Sequence, residues 1–155
     1  MDLPMTDASY MPQAAATALP PRDVWRSLKR GLLGRCPHCG KGKIFRAYLK
    51  VNDRCPACGE ELFHHRADDA PPYFTILIVG HVVGGLMLTV EEIAPDVPIW
   101  LHMLVWPSLT LVMSLVLLPM IKGALVAYQW ALRMHGFETA GAVPALPRDQ
   151  PFNET

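Results

Sequence analysis

Two long segments without any charged side chain constrain this sequence more than any other feature. No Asp, Glu, Lys or Arg occurs in the eighteen residues of 73–90 or in the twenty-four of 98–121. As α-helices these segments would be about 27 and 36 Å long, and the hydrocarbon core of a bilayer is about 30 Å thick. The rest of the chain has too few apolar residues to cover two such helices. We therefore predict two transmembrane spans instead of a buried helical pair in a soluble protein.

The connection between the spans is short and acidic. Residues 91–97 contain three acidic residues and no basic one, and so short a connection permits only an antiparallel return. Residues 22–66, on the other side of the first span, contain eleven Lys or Arg and four acidic residues. Because basic residues accumulate on the cytoplasmic side of membrane proteins, we expect a multi-pass hairpin with both termini in the cytoplasm.

All four cysteines belong to two matched units, Cys36-Pro37-His38-Cys39-Gly40 and Cys55-Pro56-Ala57-Cys58-Gly59, with fifteen residues between the two cysteine pairs. Two sulfurs three positions apart on a tight turn can face one ion, and the glycine after each pair can adopt the left-handed conformation of that turn. The spacing is at the short end of the zinc-site range. We predict a zinc ribbon whose ion is structural, because four sulfurs fill a tetrahedral site.

Three alternatives to zinc come from the same cysteines. Pro-His between two cysteines also occurs in strongly oxidising thiol enzymes, but no thioredoxin-like pattern surrounds Cys36 and a second knuckle has no purpose there. Two disulfides conflict with the reducing compartment inferred above. A rubredoxin-like iron site uses the same paired knuckles, so iron remains an alternative metal.

Two histidines fall within the predicted spans. His81 lies near the middle of the first span, and the following Gly84 and Gly85 permit close approach of another helix, so these three residues form a candidate intramembrane interaction site. His102 lies about one turn inside the outer end of the second span, where we expect it to reach water. In a hairpin centred near Ala94 the two histidines differ in depth by about 9 Å, so no shared metal or haem site is expected.

The junction between ribbon and first span is polar. His64, His65, Asp68 and Asp69 are candidates for a second site, and the alternative is a simple polar elbow. The two aspartates also precede the Pro71-Pro72 pair. An acidic capping residue followed by prolines in the first turn is a helix start signal, so we expect the first span to begin here.

These features predict a membrane α-helical protein: a two-helix transmembrane hairpin, preceded by a small cytoplasmic zinc ribbon with short β-strands and followed by an interfacial helix. In the basic segment before the ribbon, Val24, Trp25 and Leu28 share one helical face. Along the chain we predict a disordered tail (1–21), a basic interfacial helix (22–34), the ribbon (35–66), the hairpin (67–121, spans about 73–90 and 98–121), an interfacial helix (122–136) and a disordered tail (137–155).

Several motifs resemble a bacterial family known as domain of unknown function 983. The matching features are the Arg35–Gly40 knuckle, the Lys43–Val51 stretch, the second knuckle, His65–His81, Pro98–Trp100, Trp106-Pro107 and Lys122-Gly123. The resemblance extends over about 22–135 and implies an inner-membrane protein of bacteria. Members are often encoded beside terminal oxidase and oxidase-assembly genes, which implies a link to the assembly of respiratory complexes.

The resulting functional expectation is a non-enzymatic accessory or assembly protein. The sequence shows no nucleophile paired with a base, no phosphate loop and no open metal site. Its expected partners are the lipid bilayer, another membrane protein such as a respiratory complex, or a second copy of the chain. One alternative is a copper or haem carrier that uses His81, Met87, Met103 and Met113. The other is a membrane-tethered nucleic-acid binder. That function is disfavoured because only Phe45 and Tyr48 could stack bases.

Overall fold

The computed structural model describes residues 21–66 and 69–138. Its elements are α1 (Val24–Leu32), β1 (Phe45–Ala47), β2 (Lys50–Val51), α2 (Ala70–Ile93) and α3 (Ile99–Ala131). Nearly all of the two predicted disordered tails lies outside the described residues, as does Asp68.

The two long helices α2 and α3 form the predicted antiparallel pair. Both are long and apolar enough to cross a membrane, and only 11% and 17% of their most apolar stretches are buried within the chain. A core helix of a soluble protein would be mostly covered by its own chain. The described residues therefore leave most of the apolar surface of these helices exposed, which is the property expected of membrane helices.

Helix α3 continues well beyond the predicted end of the second span. Its 33 residues include Pro107 and Pro119 and run to Ala131 without a break. The separate interfacial helix predicted for 122–136 is therefore absent: residues 122–131, the α3 extension, belong to α3, and Gly136 lies in a turn beyond it. The apolar face of the extension contacts α1 and the ribbon instead of lipid, which is why the hydropathy pattern was misleading.

Helix α1 packs along the α3 extension in the opposite direction. The Asp23 side chain caps α1 by accepting a hydrogen bond of 2.9 Å from the Arg26 amide. At the other end of α1, Gly31 lies directly against Gly123, so close that a Cβ on either glycine would overlap the other's carbonyl oxygen. The predicted lone interfacial helix is thus one half of a tight helix pair.

The face of α1 that packs differs from the predicted one. Ser27 and Gly31 are its buried residues, whereas Trp25 is 65% exposed. Val24 contacts a cluster at the far end of the extension that includes Trp130 and the fully buried Phe137. Small residues occupy the contact because they allow the two backbones to approach closely, and apolar periodicity alone does not reveal such a contact.

The ribbon consists of one short hairpin between the two cysteine knuckles. Strands β1 and β2 pair antiparallel with an irregular register, and Leu49 in their turn has a positive φ of 60°. Ile44 and Leu62 are fully buried in the ribbon, and Val126 of the α3 extension completes the same core. The ribbon therefore shares its hydrophobic core with α3, a contact that the sequence did not predict.

The start of α2 differs from the prediction in its capping. Asp69 occupies the capping position, but its backbone is helical and its side chain makes no capping hydrogen bond. Instead Pro71 is buried, and the Thr75 hydroxyl donates to the Pro71 carbonyl oxygen at 2.8 Å. The prolines suit the first turn, as predicted, because those positions have no amide partner to lose.

Candidate metal centre

Two matching backbone turns present the four cysteines. In the first knuckle the Gly40 amide donates to the Cys36 carbonyl at 2.9 Å, and in the second the Gly59 amide donates to the Cys55 carbonyl at 2.9 Å. Gly40 and Gly59 have φ values of 71° and 74°, the left-handed conformation that glycine adopts without steric cost. The two knuckles thus have the same local geometry, because each has two cysteines three positions apart followed by a glycine.

The four thiols converge on one point. The Sγ atoms of Cys36 and Cys58 are 3.8 Å apart, as are those of Cys39 and Cys55, and all four lie within 4.8 Å of one another. A tetrahedral ion with metal–sulfur bonds of about 2.3 Å holds its sulfurs about 3.8 Å apart. Since no disulfide joins these cysteines, the group fits a metal ion such as zinc.

The thiols differ in how easily they lose a proton. Hydrogen bonding from the Gly42 amide, with a further contribution from the Lys41 amide, lowers the pKa of Cys39 to about 6. Burial raises the pKa of Cys36 strongly and that of Cys58 to about 11. Cys39 is therefore the first thiolate available to an incoming cation, and the ion must displace protons from Cys36 and Cys58.

The Arg30 side chain of α1 donates hydrogen bonds to the backbone of the first knuckle. Its Nη1 atom donates to the carbonyl oxygens of Pro37 at 2.8 Å and of His38 at 2.6 Å. These carbonyls lie between the two cysteines of the knuckle, so the guanidinium fixes the turn that aims the sulfurs. The sequence predicts only a basic interfacial helix at 22–34, because this contact of Arg30 depends on how α1 packs.

A second contact joins the other knuckle to the α3 extension. Glu60, next to that knuckle, accepts a hydrogen bond of 2.7 Å from the Trp130 indole and lies 3.8 Å from Arg22. Arg22 in turn donates to the Trp130 carbonyl at 2.6 Å and stacks over its ring at 4.0 Å. Sequence reasoning missed this group of three. A buried Trp with a polar edge near the end of an apolar helix was the available signal.

The turn of the ribbon hairpin contacts α3 far from the metal centre. The Tyr48 hydroxyl donates to the Leu115 carbonyl oxygen at 3.0 Å. In a regular helix that carbonyl would accept from the amide of residue 119, but Pro119 has none. A neighbouring side chain thus satisfies the acceptor that the proline leaves free.

The junction residues share a cavity without forming an ion-binding group. His64, His65 and Asp69 line an open cavity of about 740 Å³. However, the His64 Nε2 atom lies 3.3 Å from the Glu61 carboxylate and the His65 Nδ1 atom 2.9 Å from the Leu62 carbonyl. Within residues 21–66 and 69–138, the cysteines are the only group of three or more metal-ligating side chains close enough to hold an ion.

His81 bonds within its own helix: its Nδ1 atom lies 2.7 Å from the Leu77 carbonyl one turn earlier. A Cβ added at Gly84 or Gly85 would meet nothing within 4 Å among the described residues. The described part of the chain therefore does not use the close helix approach that these glycines permit.

His102 is enclosed instead of reaching water. Its side chain is only 9% exposed; its Nδ1 atom accepts a hydrogen bond of 2.9 Å from the Trp106 indole and lies 3.7 Å from Glu91. Glu91 comes ten residues after His81, which is about 15 Å along a helix. The two histidines are thus further apart in depth than predicted, because the hairpin is centred later than Ala94.

The model of the family described as "Protein of unknown function (DUF983)" matches residues 45–130, more than half of the 155-residue chain. The chain belongs to this family. The DUF983 match covers the ribbon from β1 onward, both long helices and the α3 extension as far as Trp130. No curated protein and no solved structure matches the chain significantly.

Proposed function

We propose that this DUF983 protein is a bacterial inner-membrane accessory protein whose structural zinc ribbon fixes the cytoplasmic end of a transmembrane hairpin for a partner. The observation that carries the proposal is the attachment of the four-cysteine group to the α3 extension. Arg30 holds one knuckle, Glu60 bonds Trp130 beside the other, and Val126 completes the ribbon core. Loading the metal therefore orders the helix ends as well as the ribbon.

The donor set supports a structural metal and a non-enzymatic role. Four sulfurs complete a tetrahedron and leave no position for water or substrate. Cys36 and Cys55 are also buried, so the ion is shielded from the solvent on that side. We propose zinc as the resident ion, with iron as the alternative of the same geometry.

The exposed helices support a partner within the membrane. Leu88 of α2 and Met103 of α3 are 69% and 73% exposed, and they represent faces that lipid or another helix must cover. The family resemblance directs the proposal toward a respiratory complex, such as a terminal oxidase during assembly, or a second copy of the chain. Among the described residues, His81 belongs to no group of three or more His, Cys, Asp or Glu side chains that could hold an ion, so the copper or haem carrier has less support.

Purification of the full chain in mild detergent tests the proposal. We expect about one zinc per chain, no haem or copper absorption, and oxidase subunits or other membrane proteins among the copurified species. One iron per chain with the visible bands of an iron–sulfur site would replace zinc, and a haem or copper band would refute the accessory role in favour of the carrier. Nucleic acid that is lost at moderate salt would favour the polynucleotide binder.

Paired substitutions separate the metal from membrane insertion. Cys36→Ser with Cys39→Ser should abolish zinc binding while the chain still resists extraction by alkaline carbonate. The matched control Lys41→Ser changes an exposed side chain in the same knuckle and should retain zinc. Full zinc content in the double variant would contradict the four-sulfur site, and carbonate extraction of the wild-type chain would contradict the transmembrane hairpin.

A further inference from the structure

The turn of the ribbon hairpin lies beside a part of α3 that the proposed function places in the membrane. The Tyr48 hydroxyl donates a hydrogen bond of 3.0 Å to the Leu115 carbonyl oxygen. This carbonyl lacks its usual helix partner because Pro119 has no amide hydrogen. Closer to the metal centre, the Phe45 ring approaches the position that a Cβ on Gly123 would occupy to 3.3 Å. The hairpin therefore follows α3 from the extension toward the bilayer.

The depth of this contact follows from the length of the uncharged segment. A hydrocarbon core of about 30 Å takes about 20 helical residues, and centring it in 98–121 places its inner boundary near Pro119. Leu115 is four residues further in, which is about 6 Å. The Tyr48 side chain, bonded to that carbonyl, extends below the surface of the inner leaflet.

The residues of the turn suit this position. Tyr48 is 56% exposed, and Ala47 and Leu49 flank it. Exposed Arg46 and Lys50 stand on either side, and Arg46 reaches Asp53 at 3.7 Å in an ion pair that is itself exposed. Tyrosine is enriched in the headgroup layer, and long basic side chains extend from apolar surroundings to the phosphates.

We propose that residues 46–50 form an anchoring loop that inserts Tyr48 and Leu49 into the inner leaflet and binds anionic phospholipid headgroups through Arg46 and Lys50. The inference rests on the proposed transmembrane hairpin. The loop gives the ribbon a third attachment, to lipid, besides those to α1 and the α3 extension. It also fixes the orientation of the ribbon relative to the membrane plane.

Photo-crosslinking in vesicles tests the depth of the loop. A benzophenone amino acid is placed at Tyr48, at Leu49, at Leu88 on the exposed face of α2, or at Ala57 in the second knuckle, and lipid adducts are measured by mass spectrometry of the full-length, zinc-loaded chain. We expect adducts at positions 48, 49 and 88 and none at position 57. Substitution at Tyr48 removes its hydroxyl bond, so position 49 provides the independent measurement.

The outcomes separate the two proposals. Adducts at Leu88 without adducts at Tyr48 or Leu49 would refute the loop and leave the transmembrane hairpin intact. The absence of adducts at Leu88 as well would refute both. Adducts at Ala57 equal to those at Leu49 would show that the whole ribbon lies in lipid, which also contradicts a specific anchoring loop.

The headgroup preference is tested with phosphatidylcholine vesicles that contain or lack phosphatidylglycerol. With the crosslinker at Leu49, each of Arg46→Gln and Lys50→Gln should lower the ratio of anionic to zwitterionic adducts about fivefold. The matched control is Arg54→Gln, which should leave the ratio unchanged. Arg54 is a basic residue beside the second knuckle and pairs with Glu61. Equal ratios in all variants would refute headgroup binding.

Discussion

Replacing Gly123 by alanine should weaken the attachment of α1 to the α3 extension. A Cβ on Gly123 would overlap the Gly31 carbonyl oxygen and lie 3.2 Å from the Gly31 carbonyl carbon. The reciprocal change at Gly31 would place its Cβ 2.5 Å from that of Ala127. Carbon atoms in contact prefer about 3.5 Å or more, so the helices would have to separate by about 1 Å along this contact.

Two opposing terms determine the size of the effect. Overpacking of a tight contact costs about 1–3 kcal/mol, whereas alanine is favoured over glycine in a helix by about 1 kcal/mol. The opposing atoms at Gly123 are backbone atoms that cannot move aside as a side chain does, so the upper value applies. The net loss is about 2 kcal/mol, equivalent to about a 30-fold larger population of the detached state.

Zinc release measures this detachment directly. Arg30 of α1 bonds the first knuckle, so separation of α1 from the extension also loosens the contact of the ribbon with Val126, and the ribbon then loses part of its core and exposes its ion. In detergent with excess chromogenic chelator, Gly123→Ala should release zinc up to about 30-fold faster than the wild-type chain. The control is Gly84→Ala, because a Cβ at Gly84 meets nothing within 4 Å. Equal release rates for wild type and Gly123→Ala, or equal acceleration in both variants, would refute the reasoning.

Two further predictions concern the attachment to α3 and the thiols. Glu60→Gln removes the carboxylate that lies 3.8 Å from the partly buried Arg22 and should cost about 2 kcal/mol, read as a lower melting temperature of the zinc-loaded protein. Glu61→Gln, whose ion pairs are more exposed, should cost less than about 1 kcal/mol. Zinc uptake near neutral pH should release at least two protons per ion, from Cys36 and Cys58, and one more per ion below the Cys39 pKa of about 6. The affinity for zinc therefore falls as the pH falls. Release of fewer than two protons, measured with an indicator dye, would contradict this prediction.

Local signals in the sequence were sufficient for the knuckles and for the two long helices. The positions of Cys36 and Cys39 around a tight turn, with Gly40 following, depend only on neighbouring residues, and the structure has that turn. The uncharged segments likewise predict long helices by composition alone, and the structure has helices at both. Such features need no knowledge of what packs against them.

Contacts between distant residues were not predictable in the same way. Residues 122–131 were predicted to belong to a surface helix, but Gly123 in this segment lies against α1 and Val126 is buried in the ribbon core. The contact of Gly31 with Gly123 leaves no periodic pattern in the sequence, because it depends on both residues lacking a side chain. The bond from Tyr48 to Leu115 is recognisable only when Pro119 and the hairpin turn are placed together in space.

The shared core also imposes an order on biosynthesis. The ribbon core is complete in the nascent chain, apart from Val126, at Leu62, but the helix segment that covers it ends only at Ala131, sixty-nine residues later. At about 5–20 residues per second, that interval lasts about 3–14 s. During this time the cysteines can load their ion but cannot bury it fully. A chain that stalls before Val126 therefore keeps an uncovered ribbon, in which Ile44 and Leu62 lack part of their core.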